Sequence, residues 1–228
     1  MIDIHTHILT GVDNGCKDYS DAGKVVLKAK SEDVTALFLT PHQRSYAGFD
    51  ADGLKQKFNK FNEIFKKYEV DMYLGAEIEY SSDCLVKIFY KKLLTMNDTK
   101  YVLIDFNSSQ EEFNIFNVIK DYKAHGYKII IAHAECLIQY KENDFLKMKN
   151  MGAYIQIDAE NIFNKKYKKI IDYLLEERLV DFVASNIHSS TVSYVMEKAF
   201  KEVSKRTNKD YADIVFNRNA KNYLILKK

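Results

Sequence analysis

His5 and His7 stand two residues apart in the opening run MIDIHTH, a spacing that puts both imidazoles on one face of an extended chain. Two neutral imidazoles converging there suit a first-row divalent ion. The chain holds six histidines, and three more of them, His42, His133 and His188, follow short apolar runs: FLTP, KIIIA and FVASNI. Hard oxygen donors occur at equivalent places. Glu77 closes MYLGAE, Asp105 sits inside VLIDF where an acid is costly to bury alone, and Glu79 shares the face of Glu77 as a reserve donor. His125, before Gly126 at a helix end, is expected to take no part. GxGxxG, GxxxxGK[ST] and GxSxG are all absent, so nucleotide cradles and a serine nucleophile elbow have no support. The pattern points to a polynuclear metal centre doing metal-assisted hydrolysis.

Those donors need elements that bring them together. Runs rich in β-branched and apolar residues recur at Ile2–His5, Val34–Thr40, Val70–Glu77, Tyr101–Phe106, Tyr127–His133, Ala153–Asp158 and Val180–Ser185. Helical periodicity fills the intervals: in Ala51–Tyr68 one apolar stripe is formed by Leu54, Phe58, Phe61, Ile64, Phe65 and Tyr68. Further helices are predicted near Ser20–Ser31, Asp83–Leu93, Glu112–His125, Asn143–Asn150, Tyr167–Leu175, Val192–Arg206 and Asp210–Phe216. Strand–helix alternation of this kind predicts an α/β protein with a parallel sheet and right-handed crossovers, as a barrel or as an open doubly wound sheet. Either architecture gathers its site at the carboxyl ends of its strands, where the five histidines fall. No repeat or Pro/Gly-rich linker divides residues 1–228, which are read as one domain, with the tail Asn217–Lys228 packed on the outside.

Composition narrows the classes. Against 34 basic residues stand 32 acidic ones, which gives no electrostatic case for a nucleic-acid partner. No uncharged apolar run reaches the ~18–20 residues of a membrane span, so membrane insertion is not expected. Cys16, Cys84 and Cys136 are three, far apart and without CxxC spacing, which predicts free thiols and a cytoplasmic location.

The segments MIDIHTHILTGVDNG, LTPH, GAEIEY, YVLIDF, IIIAHAE and VASNIHSS follow in order the motifs of the PHP superfamily (polymerase and histidinol phosphatase). The chain most resembles the capsule-synthesis protein-tyrosine phosphatases of that superfamily, over nearly its whole length. The resemblance implies a distorted (β/α)7 TIM-like barrel with the metal site at the C-terminal ends of the strands. It also implies one to three divalent ions, manganese first with iron or zinc as alternatives, and a metal-bound water as nucleophile. The implied substrate is phosphotyrosine or another phosphomonoester, carried on the tail of a bacterial tyrosine kinase that controls capsular polysaccharide export. Transferred to this chain, the ligands are His5 and His7 for one ion, Glu77 as a bridge to a second ion held by Asp105 and His133, and His42 and His188 for a third.

The chain also departs from that pattern. Asn14 replaces the second Asp of the GVDDG motif beside Asp13, and Asn186 replaces the Asp of SD-x-H, so Asp13, Asn14 and Asn186 are secondary ligand candidates. Cys136 stands where an arginine is expected to hold phosphate, no arginine follows in HSSTVSY, and Arg44 after Gln43 is the candidate replacement. Exchanging a carboxylate for an amide removes a full charge at ~2 Å from an ion, several kcal/mol even when heavily screened. Two readings follow: a working metal-dependent phosphatase, or a catalytically impaired homologue that keeps the barrel and part of the metal and serves as a binding or regulatory protein. Substrate identity and oligomeric state are not encoded in these motifs.

Overall fold

A computed structural model describes residues 1–44, 48–109 and 111–226 of the chain. Among these residues the β-branched runs form nine parallel strands: β1 (Ile2–Thr6), β2 (Ala36–Leu39), β3 (His42–Gln43), β4 (Asp71–Leu74), β5 (Glu77–Glu79), β6 (Tyr101–Asp105), β7 (Lys128–Ile131), β8 (Tyr154–Asp158) and β9 (Phe182–Ala184). β2 and β3 are one pass of the chain interrupted at Thr40 and Pro41. β4 and β5 are another, interrupted at Gly75 and Ala76, because β2 pairs with β4 and β3 with β5 in the same sense. The order is therefore β1, β2/β3, β4/β5, β6, β7, β8, β9. The last strand returns to the first through a parallel bridge between Thr6 and Ile187, with His7 N donating to Ile187 O (2.8 Å) and Asn186 N to His5 O (2.9 Å). Seven passes closed in this way make the distorted (β/α)7 barrel, and the open-sheet alternative is excluded.

The intervening helices are α1 (Tyr19–Ser31), α2 (Ala51–Phe65), α3 (Cys84–Phe89), α4 (Ile115–Ala124), α5 (Glu142–Met151), α6 (Lys168–Glu176), α7 (Met196–Arg206) and α8 (Lys209–Asp213). Local chemistry sets their ends. Asp18, Asp50 and Asn114 cap α1, α2 and α4 by accepting from the free N–H groups of the first turn, which is why α4 starts at Ile115 and not at Glu112. Each helix buries one stripe against the outer face of the barrel, where Leu37, Leu39, Val102, Ile104, Ile129 and Ile131 point outward. The alternate residues, among them Phe38, Leu103, Ile130 and Phe182, fill the interior. Strands covered on both faces have to be apolar throughout, and all of β2 and β6 is buried.

The tail corrects an expectation. Residues after α8 continue as π-helical turns at Ile214–Arg218 and Lys221–Ile225 and carry Ala220 and Leu224 into the interior cluster, under Ile2, Ile4 and Phe38. The last element is a plug at the amino-terminal end of the barrel, not an outer attachment. The small Ala36 at the start of β2 helps leave room there for an apolar side chain. Residues 227 and 228 lie outside the described residues.

Candidate metal centre

At the opposite end of the barrel, the carboxyl ends of the strands gather all seven candidate ligands into three overlapping groups: His5, His7 and Glu77; Glu77, Asp105 and His133; and His7, His42 and His188. Within each group one donor atom per residue lies within 4.8 Å of the others. His5, His7 and Glu77 are almost fully buried, while His42 and His188 lie nearer the mouth. A cavity of about 1000 Å³ lies elsewhere, between Lys55, Lys100, Tyr101, Lys128 and Tyr223 at the amino-terminal end, so the position of the donors and not empty volume marks the site.

Backbone irregularities aim these side chains. The register of β1 slips between Asp3 and Thr6: Asp3 faces Leu37 and Thr6 faces Leu39, so one extra residue of β1 is accommodated. In a regular strand His5 and His7 would face away from Ile2 and Ile4; the bulge brings all four to the inside. His133 and Asn186 adopt left-handed backbone conformations, with φ of 31° and 51°, which turn the chain sharply where β7 and β9 end. Gly15 approaches the carbonyl of His7 so closely that a Cβ there would lie 1.9 Å from it, and this contact presses the loop bearing Asp13 onto the ligands.

The hydrogen bonds behind the rings set their tautomers. His7 Nδ1 meets Asp13 Oδ2 at 2.8 Å, His5 Nδ1 meets Gln156 Oε1 at 3.1 Å, and His188 Nδ1 meets the carbonyl of Asn186 at 2.9 Å. Each outer nitrogen faces an acceptor and so carries the proton, which leaves Nε2 with a lone pair. The Nε2 atoms of His5 and His7 nonetheless lie only 3.1 Å apart and within 3.3 Å of Glu77 Oε2. His42 Nδ1 is 2.9 Å from that same oxygen, yet Oε2 makes no directed hydrogen bond. Lone pairs and a buried carboxylate oxygen crowded into one spot repel one another unless a cation lies between them. The residues therefore fit a divalent ion, with nitrogen and carboxylate donors in the mixture such ions prefer.

Glu77 Oε1 reaches His133 Nε2 at 2.8 Å, and Asp105 Oδ1 lies 3.8 Å from the same nitrogen. Asp105 is itself held by the N–H of Asn107 (2.7 Å) and by the hydroxyl of Ser108. Without an ion, protons hold the centre together. Burial opposes charging His7, but the Asp13 and Glu77 carboxylates beside it outweigh burial and lift it to about 9. His133, likewise buried, is lifted to about 10, chiefly by Glu77. Burial would raise Glu77, but the surrounding imidazoles, His5 first, hold it well below the ordinary range. His188 falls to about 4 through burial and the nearby charge of His7.

The remaining candidates divide. Asp13 stands behind His7 and also accepts from His42 N at 3.0 Å, an outer position. Asn14 is exposed, and Asn186 donates its side-chain N–H to Asp158 Oδ2 at 3.0 Å. Glu79 lies outside the ligand groups and pairs with Arg44, whose Nε is 2.6 Å from Glu79 Oε2. His125 is exposed at the end of α4, with Nδ1 2.8 Å from Asp121 O. Sequence reasoning missed Gln156, Asp158 and Glu135. Gln156 and Asp158 occupy alternate positions of YIQID at the end of β8, the same two-residue polar spacing that singled out His5 and His7. Glu135 accepts from Asp158 N, and burial followed by the charge of Asp158 pushes its carboxyl up to about 8.

The family model for capsular polysaccharide synthesis, CpsB/CapC, matches residues 1–225. The tyrosine-protein phosphatase CpsB of Streptococcus agalactiae serotype V is 30% identical over 98% of this chain and 98% of its own. The tyrosine-protein phosphatase YwqE of Bacillus subtilis is 30% identical over 88% of this chain and 85% of its own. The crystal structures described as YwqE from B. subtilis and CpsB from Streptococcus pneumoniae, unique metal-dependent tyrosine phosphatases, include a chain that superposes with a TM-score of 0.90 at 25% identity. That match covers 100% of this chain and 96% of the other.

Proposed function

This chain belongs to the CpsB/CapC family of capsular polysaccharide synthesis, and from that premise we propose that it is a metal-dependent phosphatase that hydrolyses phosphotyrosine. The observation that carries the proposal is the convergence of His5 Nε2, His7 Nε2 and His42 Nδ1 on Glu77 Oε2 within 3.3 Å. In this reading His5, His7, His42, Glu77, Asp105, His133 and His188 are the ligands; the resemblance implies manganese first, with iron or zinc as alternatives, and the mixture of imidazole and carboxylate suits each of them. Divalent ions bound there would supply Lewis acidity toward phosphoryl oxygens and lower the pKa of water.

The protein's own groups do the rest. Asp13 and Gln156 keep the Nε2 atoms of His7 and His5 unprotonated toward the centre, and Asn107 and Ser108 hold Asp105 in place. Arg44 at the mouth is half exposed and spends its Nε on Glu79 Oε2, so its remaining guanidinium N–H groups would be the ones to meet a substrate phosphoryl group. Cys136, where the resemblance implies an arginine, offers no charge, which leaves Arg44 as the candidate phosphate contact. The natural substrate in this reading is the phosphotyrosine-bearing tail of a tyrosine kinase in capsule assembly. Catalysis takes place in the cytoplasm, a setting that suits three free cysteines. No helix among the described residues is long and apolar enough to cross a membrane.

The test joins metal analysis of the purified protein with hydrolysis of a phosphotyrosyl peptide in added Mn2+. Bound metal together with metal-dependent release of phosphate is the expected result. Bound metal without hydrolysis would overturn the enzyme reading in favour of a binding protein.

A further inference from the structure

Asp158 lies at the end of β8, is 8% exposed, and belongs to none of the ligand groups. Its Oδ1 accepts from Gln156 Nε2 at 2.8 Å, and its Oδ2 accepts from Asn186 Nδ2 at 3.0 Å. Gln156 in turn presents Oε1 to His5 Nδ1 (3.1 Å) and accepts from His133 N (3.0 Å). Asn186 donates its own N–H to His5 O and offers its carbonyl to His188 Nδ1. The Gln156 side chain thus backs the His5 ring and the His133 backbone, the Asn186 backbone backs His5 and His188, and the side-chain amides of both residues hang on one carboxylate. Only a carboxylate can accept from the two at once, because an asparagine side chain has one acceptor and one donor end. Residue 186, where the resemblance implies an acid, is an amide here, and its Oδ1 is buried without a hydrogen-bond partner.

We propose that Asp158 is the outer anionic anchor of the metal centre, positioning His5, His133 and His188 through Gln156 and Asn186 and supplying from β8 the negative charge that residue 186 does not carry. This rests on the reading of the cluster as a divalent-metal site. Asp158 is a positioning residue, and outer partners of this kind set metal affinity by ~10–100-fold. The exchange of acid and amide is reciprocal. When Asp158→Asn is combined with Asn186→Asp, the amide introduced on β8 donates its N–H to the new acid, and its oxygen still accepts from Gln156.

The experiment titrates Mn2+ by calorimetry into the wild-type protein, Asp158→Asn, and the double variant Asp158→Asn with Asn186→Asp. Circular dichroism establishes folding, and nitrogen-15 NMR of the histidine rings reads the tautomer of His5. The single variant is expected to bind Mn2+ ~10–100-fold more weakly and to lose the defined Nδ1–H signal of His5, and the double variant to regain both. A folded single variant with wild-type affinity and an unchanged His5 signal overturns the proposal. So does a folded double variant that binds Mn2+ more weakly than wild type by the same factor as the single one. If the single variant does not fold, the double variant decides by the same criterion. Absence of Mn2+ binding in the wild type overturns the metal-centre reading itself, and the anchor falls with it.

Discussion

Glu77 carries the largest share of the site's chemistry, with Oε2 facing three imidazoles and Oε1 facing a fourth. Glu77→Gln keeps the shape and removes the charge, and is expected to weaken Mn2+ binding beyond the ~100-fold upper range of outer partners, with loss of phosphatase activity. His125→Ala is the control: calorimetry and peptide hydrolysis should both match wild type. The protons that hold the metal-free site give a second prediction. His7 and His133 keep their protons to about 9 and about 10 when folded, against 6.5 for the ordinary imidazole. Their contribution to stability is therefore complete below pH 6.5 and is lost as the pH rises through 9 to 10. Glu77 works in the other direction: its contribution is present above 4.5 and is lost on acidification. The melting temperature of chelator-treated protein should consequently fall between about pH 7 and 10 with a smaller fall in saturating Mn2+, where the ion replaces those protons. Scanning fluorimetry across that range checks it, and a rise in the metal-free curve would refute it.

At the scale of elements, the site depends on how strands end. The bulge in β1, the break at Thr40–Pro41 and the left-handed turns at His133 and Asn186 each redirect a side chain that a regular strand would point elsewhere. The loop after β1 is held by Gly15, whose missing Cβ makes room for the His7 carbonyl and allows Cys16 N to donate to it at 2.9 Å. Gly15→Ala must push this loop outward and carry Asp13 away from His7. The expected outcome is a stability loss of ~1–3 kcal/mol in urea denaturation, as for other forced overpacking, with Mn2+ affinity reduced ~10-fold or more as an outer partner is displaced. Unchanged affinity would show that the loop does not support the ligands.

Across the whole molecule, the barrel separates stability from chemistry. The amino-terminal end is closed by Ala220 and Leu224 of the tail, far along the strands from the ligands. Leu224→Ala leaves a cavity under Phe38 and Leu103 and should cost ~2–5 kcal/mol. Mn2+ affinity should stay at the wild-type level in calorimetry, because the layer of interior side chains between plug and site is intact. A large loss of metal binding in a folded Leu224→Ala protein would show that the two ends are coupled.

Much of this was legible in the chain. Alternation of apolar strands with 3.6-periodic helices settled the class, and histidines or acids after strand-like runs marked the seven candidate ligands that the fold brings together, because side-chain direction within one element follows from local periodicity. Barrel closure, the plug and the outer shell were not legible, because each depends on contacts between residues far apart. Thr6 meets Ile187, Leu224 fills a space left by β1, β2 and β6, and Gln156 and Asp158 look like ordinary polar strand residues until His5 and Asn186 are placed beside them. The sequence by itself determined which atoms were available as ligands and at which ends of which strands. Tertiary structure alone decided their convergence and their protonation, since both depend on through-space distances that no spacing along the chain contains.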